Sequence, residues 1–192
     1  MIIGLTGPTG SGKSLIAPAA ETFGFRVIDC DQTARRAVRK GSPGLAALTK
    51  AFGNDILTPN GELDRKALAL LAFSSPEKTN LLNQTLLPYI VTLALGEAGE
   101  GDVLFDAPTL FESGIDRQCD KTIAVLADRN LRLQRIMQRD GLTVEEANLR
   151  IHAGKPDSFY VKNADFVIKN NGDASTLYQQ FLTILKKMKE NR

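Results

Sequence analysis

Short apolar runs recur along the chain at residues 2–6, 26–29, 103–106, 121–126 and 165–168, and within most of them the hydrophobic positions are continuous rather than alternating. A strand with one wet face alternates apolar and polar residues, whereas a run apolar throughout suits a strand covered on both sides. Segments with helical spacing lie between the runs. The pattern therefore predicts an α/β fold, a parallel five-stranded sheet with helices on both faces. Ligands of such sheets gather at the carboxyl ends of the strands, where Gly7, residues 29–31, Asp106 and Asn170 would meet.

Two regions interrupt the alternation. Residues 42–98 carry helical patterns at 44–52, 64–73 and 76–98 with no strand between them, and Pro88 is expected to kink or break the last. This stretch is read as a helical insertion in a single domain spanning 1–192. The second region runs helix 129–140, helix 143–152, then the breakers Gly154 and Pro156. Residues 139–163 of it are expected to close over a bound ligand as a lid. A tail at 174–189 reads as an amphipathic helix whose basic end, Lys186, Lys187 and Lys189, suits the negative pole of the helix dipole.

The first loop carries the most specific signal. Residues 7–14, Gly-Pro-Thr-Gly-Ser-Gly-Lys-Ser, fit G-x-x-x-x-G-K-[ST] and sit between an apolar run and a helix, the setting that motif requires. Gly7, Gly10 and Gly12 let successive backbone N–H groups turn toward a polyphosphate. Lys13 offers a point charge to the β- and γ-phosphates, Ser14 a hydroxyl to Mg²⁺, and the following helix its positive end. Together they point to a nucleoside triphosphate with its metal.

Composition narrows the rest by exclusion. In a chain of 192 residues, 24 Lys and Arg against 22 Asp and Glu leave a net charge of +2, which gives no reason to expect nucleic acid or a membrane surface as partner. Two cysteines, Cys30 and Cys119, with the single His152 make neither a disulfide framework nor a metal-site spacing. With no basic leader and no apolar run of bilayer length, a cytoplasmic location is the expectation. Oligomeric state is not legible.

Three further sets could carry chemistry. Asp31 follows the second strand at a helix start, expected at Gln32, where a carboxylate can take the proton of an acceptor hydroxyl or simply cap the helix. Asp106 ends the third strand, where a carboxylate can hold Mg²⁺ or serve as a turn residue before Pro108. Arg132, Arg135 and Arg139 share one helical face, either as a solvated stripe or as a source of guanidinium for transferring phosphates, with Arg139 the first choice.

With these residues assembled, the sequence resembles the dephospho-coenzyme A kinase family. The likeness rests on residues 4–14, on Val27-Ile28-Asp29-Cys30-Asp31 with Ala34-Arg35, and on Gly61-Glu62-Leu63-Asp64-Arg65. It continues in Pro108-Thr109-Leu110-Phe111-Glu112, Gln138-Arg139-Asp140-Gly141-Leu142, and Ala164-Asp165-Phe166-Val167-Ile168 with Asn170-Asn171-Gly172. The resemblance implies a P-loop kinase fold and transfer of the γ-phosphate of ATP to the ribose 3′-hydroxyl of dephospho-CoA, the last step of coenzyme A synthesis. It implies Asp31 as base, Lys13 and Arg139 as phosphate-stabilising groups, and the helical insertion as holder of the acceptor. Nucleotide would be held by Gly7, Gly10, Ser11, Gly12, Lys13, Ser14, Leu15 and Asn170, and Mg²⁺ by Ser14 and Asp106. The sequence departs from the family's usual residues at Leu15, at Thr109 within Pro108-Thr109-Leu110, at Leu87, at Gly154 and through Phe159-Tyr160-Val161. The alternatives are another small-molecule or nucleoside monophosphate kinase of this architecture, or an ATP-binding regulator without catalysis.

Overall fold

The computed structural model describes residues 1–190. Strands β1 (Ile2–Thr6), β2 (Arg26–Asp29), β3 (Val103–Asp106), β4 (Lys121–Leu126) and β5 (Phe166–Lys169) form one parallel sheet in the order β2-β3-β1-β4-β5. The first four match the apolar runs residue for residue. The fifth begins one position later than expected because Asp165 is committed elsewhere: its carboxylate accepts from the Thr122 N–H at 2.8 Å and the Thr122 hydroxyl at 2.7 Å.

Alternation of side chains across the sheet sends strand residues into two layers. One packs Ile3, Leu5, Leu104, Ile123, Val125 and Ile168 against α1 (Ile16–Thr22) and α10 (Ala174–Glu190). The other packs Ile28, Val103 and Phe105 against α2 (Cys30–Ala37), the long α5 (Pro76–Ala98) and α6 (Leu110–Ser113). Phe105 and Phe181 are fully buried; side chains of this size contribute about 1.5–3 kcal/mol each on burial. On α10, Lys186 and Lys187 are exposed near the C-terminal end, whereas the Lys189 side chain lies outside the described residues.

Between α2 and β3 stand α3 (Pro43–Phe52), α4 (Arg65–Ala72) and α5. Each starts on a cap: Ser42 accepts from Leu45 N at 3.2 Å, Asp64 from Lys66 N and Ala67 N at 2.9 Å, Ser75 from Lys78 N at 3.3 Å. Their own cluster, Val38, Leu48, Ile56, Leu68 and Ala72, is separate from the sheet layers. Helix α5 runs unbroken through Pro88. The missing proline N–H costs one turn its hydrogen bond, but Leu86, Leu87, Ile90, Ala94 and Ala98 on both sides of it are packed, and that packing carries the helix across.

Beyond β4 come α7 (Arg129–Asp140), α8 (Val144–His152) and α9 (Asp157–Asn163). Helix α9 occupies part of the stretch that the breakers Gly154 and Pro156 mark as irregular. Pro156 is its N-cap, and a proline loses nothing there because a helix's first N–H groups have no internal acceptor. Among the described residues no helix is long and apolar enough to cross a membrane.

Candidate active site

The register places Leu5, Asp29 and Asp106 at one level across three neighbouring strands, so the loop after β1 opens beside both carboxylates. Its backbone is held from outside. The Thr9 carbonyl accepts from Arg132 Nε at 3.0 Å, the Gly10 and Ser11 carbonyls from Arg135 NH1 at 3.4 Å each, and Ser11 also from Asn170 Nδ2 at 2.7 Å. In a trans peptide the N–H points opposite the C=O. Arg132 and Asn170, neither of which lines the cleft beside the loop, draw the Thr9 and Ser11 carbonyls away from it and so turn the amides of Gly10 and Gly12 toward it. Close packing makes Gly12 obligatory: its φ is +85°, and a Cβ there would stand 2.1 Å from Asn170 Nδ2. Gly7 is confined likewise, since a Cβ would meet the Val125 carbonyl at 2.3 Å.

This cleft, about 770 Å³, is lined by residues 7–15 together with Asp31, Pro108, Arg135, Gln138, Arg139 and Arg150. Of the sequence candidates it gathers Gly7, Gly10, Ser11, Gly12, Lys13, Ser14, Leu15, Asp31 and Arg139. Asn170 is outside that wall, 2% exposed, with its side chain spent on the Ser11 carbonyl. Asp106 is likewise not among the lining residues; its carboxylate pairs with the Lys13 ammonium. Arg132, 4% exposed, is also bonded to Asp157 at 3.0 Å, so the arginine face of α7 is no solvated stripe: Arg132 and Arg135 brace the loop, and Arg135 and Arg139 line the cleft. Arg150, on α8, lines the same cleft and was not singled out from the sequence. Its only sequence signal is a basic residue in the last turn of a helix.

Helix α2 begins at Cys30, two residues earlier than expected, and this separates the adjacent carboxylates. Asp29 is the cap, accepting from Gln32 N at 3.0 Å and Gln32 Nε2 at 2.9 Å. Asp31 lies in the first turn with no capping bond, so its side chain is free of that structural task. The surrounding protein, and then the negative charge of Asp29, push the Asp31 carboxyl above the ordinary aspartate range, with Lys13 and Arg35 opposing. Partial burial acts on Asp29 in the same direction, but the Gln32 bonds outweigh it and hold that group low. Burial lowers the Lys13 ammonium, against the pull of Asp31 and Asp29. The Cys30 thiol, buried between two carboxylates, is pushed up to about 12 and is not a nucleophile near neutrality.

A second cleft, about 310 Å³, lies between α2, α4 and α5. Its wall is apolar, with Leu63, Leu68, Phe73, Leu82 and Leu86, except for Arg35, Arg65 and Asp31. Asp31 thus lines both clefts, at their junction.

A family model described as dephospho-CoA kinase matches residues 1–176. The chain belongs to the dephospho-CoA kinase family. It is 41% identical to the Corynebacterium glutamicum dephospho-CoA kinase over 93% of this chain and 92% of that one. The fold is similar to a solved Thermus thermophilus protein with TM-score 0.76 at 33% identity, covering 97% of each chain. It is also similar to the Campylobacter jejuni dephospho-CoA kinase, with TM-score 0.64 at 26% identity over 100% of this chain and 98% of that one.

Of the positions where the chain departs from the residues usual in the dephospho-CoA kinase family, Leu15, Leu87 and Tyr160 have distinct surroundings. Leu15 is half exposed on the rim of the phosphate cleft. Leu87, on α5, packs into the second sheet layer. Tyr160 is buried against Ala124 and Leu126, away from the residues that line the cleft, and burial followed by the nearby Glu112 pushes its hydroxyl up to about 12.

Proposed function

We propose that the chain catalyses transfer of the γ-phosphoryl group of ATP to the ribose 3′-hydroxyl of dephospho-CoA. The observation that supports this reading best is that Asp31 lines both clefts, placing one carboxylate between a phosphate-binding loop and an apolar hollow with two guanidinium groups. In the proposed arrangement ATP occupies the cleft of residues 7–15, its phosphates on the loop amides, Lys13 and Arg139. Dephospho-CoA occupies the hollow of α2, α4 and α5. There Arg35 and Arg65 suit the acceptor's diphosphate, and the leucines suit its uncharged arm.

Direct transfer needs a base at the acceptor oxygen and positive charge around the migrating group. Asp31 takes the hydroxyl proton as the oxygen attacks phosphorus, and ADP leaves. A carboxyl pushed above its usual range binds that proton more firmly than an ordinary aspartate would. Lys13 and Arg139 stabilise the charge that spreads over the phosphoryl oxygens. Ser14 and Asp106 are hard oxygen donors and would hold Mg²⁺, an ion that takes its remaining ligands from phosphates and water and supplies charge neutralisation there. Among the described residues no cluster of three or more His, Cys, Asp or Glu gathers as a complete metal cage.

The test is an ADP-release assay with dephospho-CoA, pantetheine and AMP as rival acceptors. Dephospho-CoA alone is expected to support ADP formation; equal release with AMP or pantetheine would refute the acceptor assignment.

A further inference from the structure

Two lid arginines share one carboxylate. Arg139, at the end of α7, meets both oxygens of Asp140 through Nε and NH2 at 2.8 Å each. Arg150, from α8, donates NH1 to Asp140 Oδ2 at 2.6 Å. Both arginines, unlike Asp140, line the cleft with the phosphate loop. Each keeps N–H donors that Asp140 does not use, since a guanidinium has five.

We infer that Arg150 is a second phosphate-stabilising cation of the transfer reaction, and that Asp140 is the positioning residue that holds it beside Arg139. The inference rests on the kinase reading above and deepens it. Two guanidinium groups at one site repel; a carboxylate between them reduces the set from +2 to +1 and makes their approach favourable. The bidentate grip on Arg139 fixes the plane of one fork. The shorter bond to Arg150 crosses the turn at Gly141, where φ is +67°, and ties α8 to the end of α7. Charge that grows on the phosphoryl oxygens in the transition state then meets two forks instead of one. A purely structural latch would instead hold α8 without affecting the chemical step.

Kinetics and thermal melts of Arg150→Ala, Arg150→Lys, Asp140→Asn and Asp140→Asn/Arg150→Ala separate these cases, with ATP and dephospho-CoA each varied. Arg150→Ala is expected to lower kcat by about 10- to 100-fold while KM for dephospho-CoA stays within threefold, and Lys to recover only part of the loss. In the Asp140→Asn background the same Arg150→Ala change is expected to cost less than threefold, because the arginine is already misplaced. A kcat for Arg150→Ala within threefold of wild type would overturn the inference, as would fully multiplicative losses or a loss explained by a lowered melting temperature. If wild type prefers another acceptor, the acceptor assignment fails and the cycle is read with that acceptor; no transfer to any acceptor overturns both.

Discussion

Two carboxylates two residues apart, Asp29 and Asp31, are assigned opposite duties, and substitution can exchange the symptoms. Asp29 is the acceptor for Gln32 N and Gln32 Nε2. Removing an N-cap costs about 0.5–2 kcal/mol, and in a protein of this size each kcal/mol lowers the melting temperature by about 2–4 °C. Asp29→Ala is therefore expected to melt several degrees lower. Asp31 makes no capping bond, so Asp31→Asn loses only its favourable place in the first turn, about 0.3–1 kcal/mol. Against that stands its raised pKa. A carboxyl whose folded-state pKa lies above its unfolded value opposes folding once pH rises through that window, so a neutral amide relieves a cost at neutral pH. Near cancellation is expected, with a melt within about 2 °C of wild type. Turnover is expected to fall about 10²- to 10⁴-fold, the usual worth of a general base. Coupled ADP release and differential scanning fluorimetry on one preparation provide both numbers. Asp31→Asn turning over within threefold of wild type, at an unchanged melt, would refute the base assignment.

Other consequences can be measured in parallel. The acid limb of kcat/KM against pH is expected above the ordinary aspartate range, because activity is lost as pH falls through the raised Asp31 pKa; in Asp29→Asn, which keeps a cap, the limb is expected to move to lower pH, and an unmoved limb would assign it to another group. Lys13→Ala is expected to lose turnover by two or more orders of magnitude with the fold retained, read by the same assay and by circular dichroism. Arg65→Ala is expected to raise KM for dephospho-CoA about tenfold and leave KM for ATP within threefold; equal changes in both would place Arg65 outside the acceptor hollow.

Much of this was legible in the sequence because it is written locally. The strands show as apolar runs, and the loop shows as glycines at fixed spacing before Lys13. The start of α5 shows at Pro76, and that of α3 falls one residue before the expected Gly44. What was not legible depends on partners distant in the chain. Arg132 and Arg135 look like a surface stripe because nothing near them reveals that their acceptors are the carbonyls of residues 9–11. Asn170 stands at the expected strand end, but its amide is spent on the loop. The cap of α2 moved from Asp31 to Asp29 because the helix begins at Cys30, a difference of two residues that propensity does not resolve. Pro88 announces a break that packing on both flanks overrides.

The bracing of the loop by α7 also limits what can swing. Arg132 and Arg135 fasten that helix to the phosphate loop, so Arg139, one turn beyond Arg135, is carried by a braced helix and lines the same cleft as Lys13. At the other end Tyr160 anchors α9 on the sheet. In the proposed closure of residues 139–163, these two moorings leave α8 as the segment that would move, and opening would have to part Ala147 and Ile151 from Ile136 of α7. Opening and closing would then carry Arg150 in and out while Arg139 stays: hydrogen exchange should quicken in residues 144–152 alone, and a nucleotide could enter without the loop that receives it ever losing its shape.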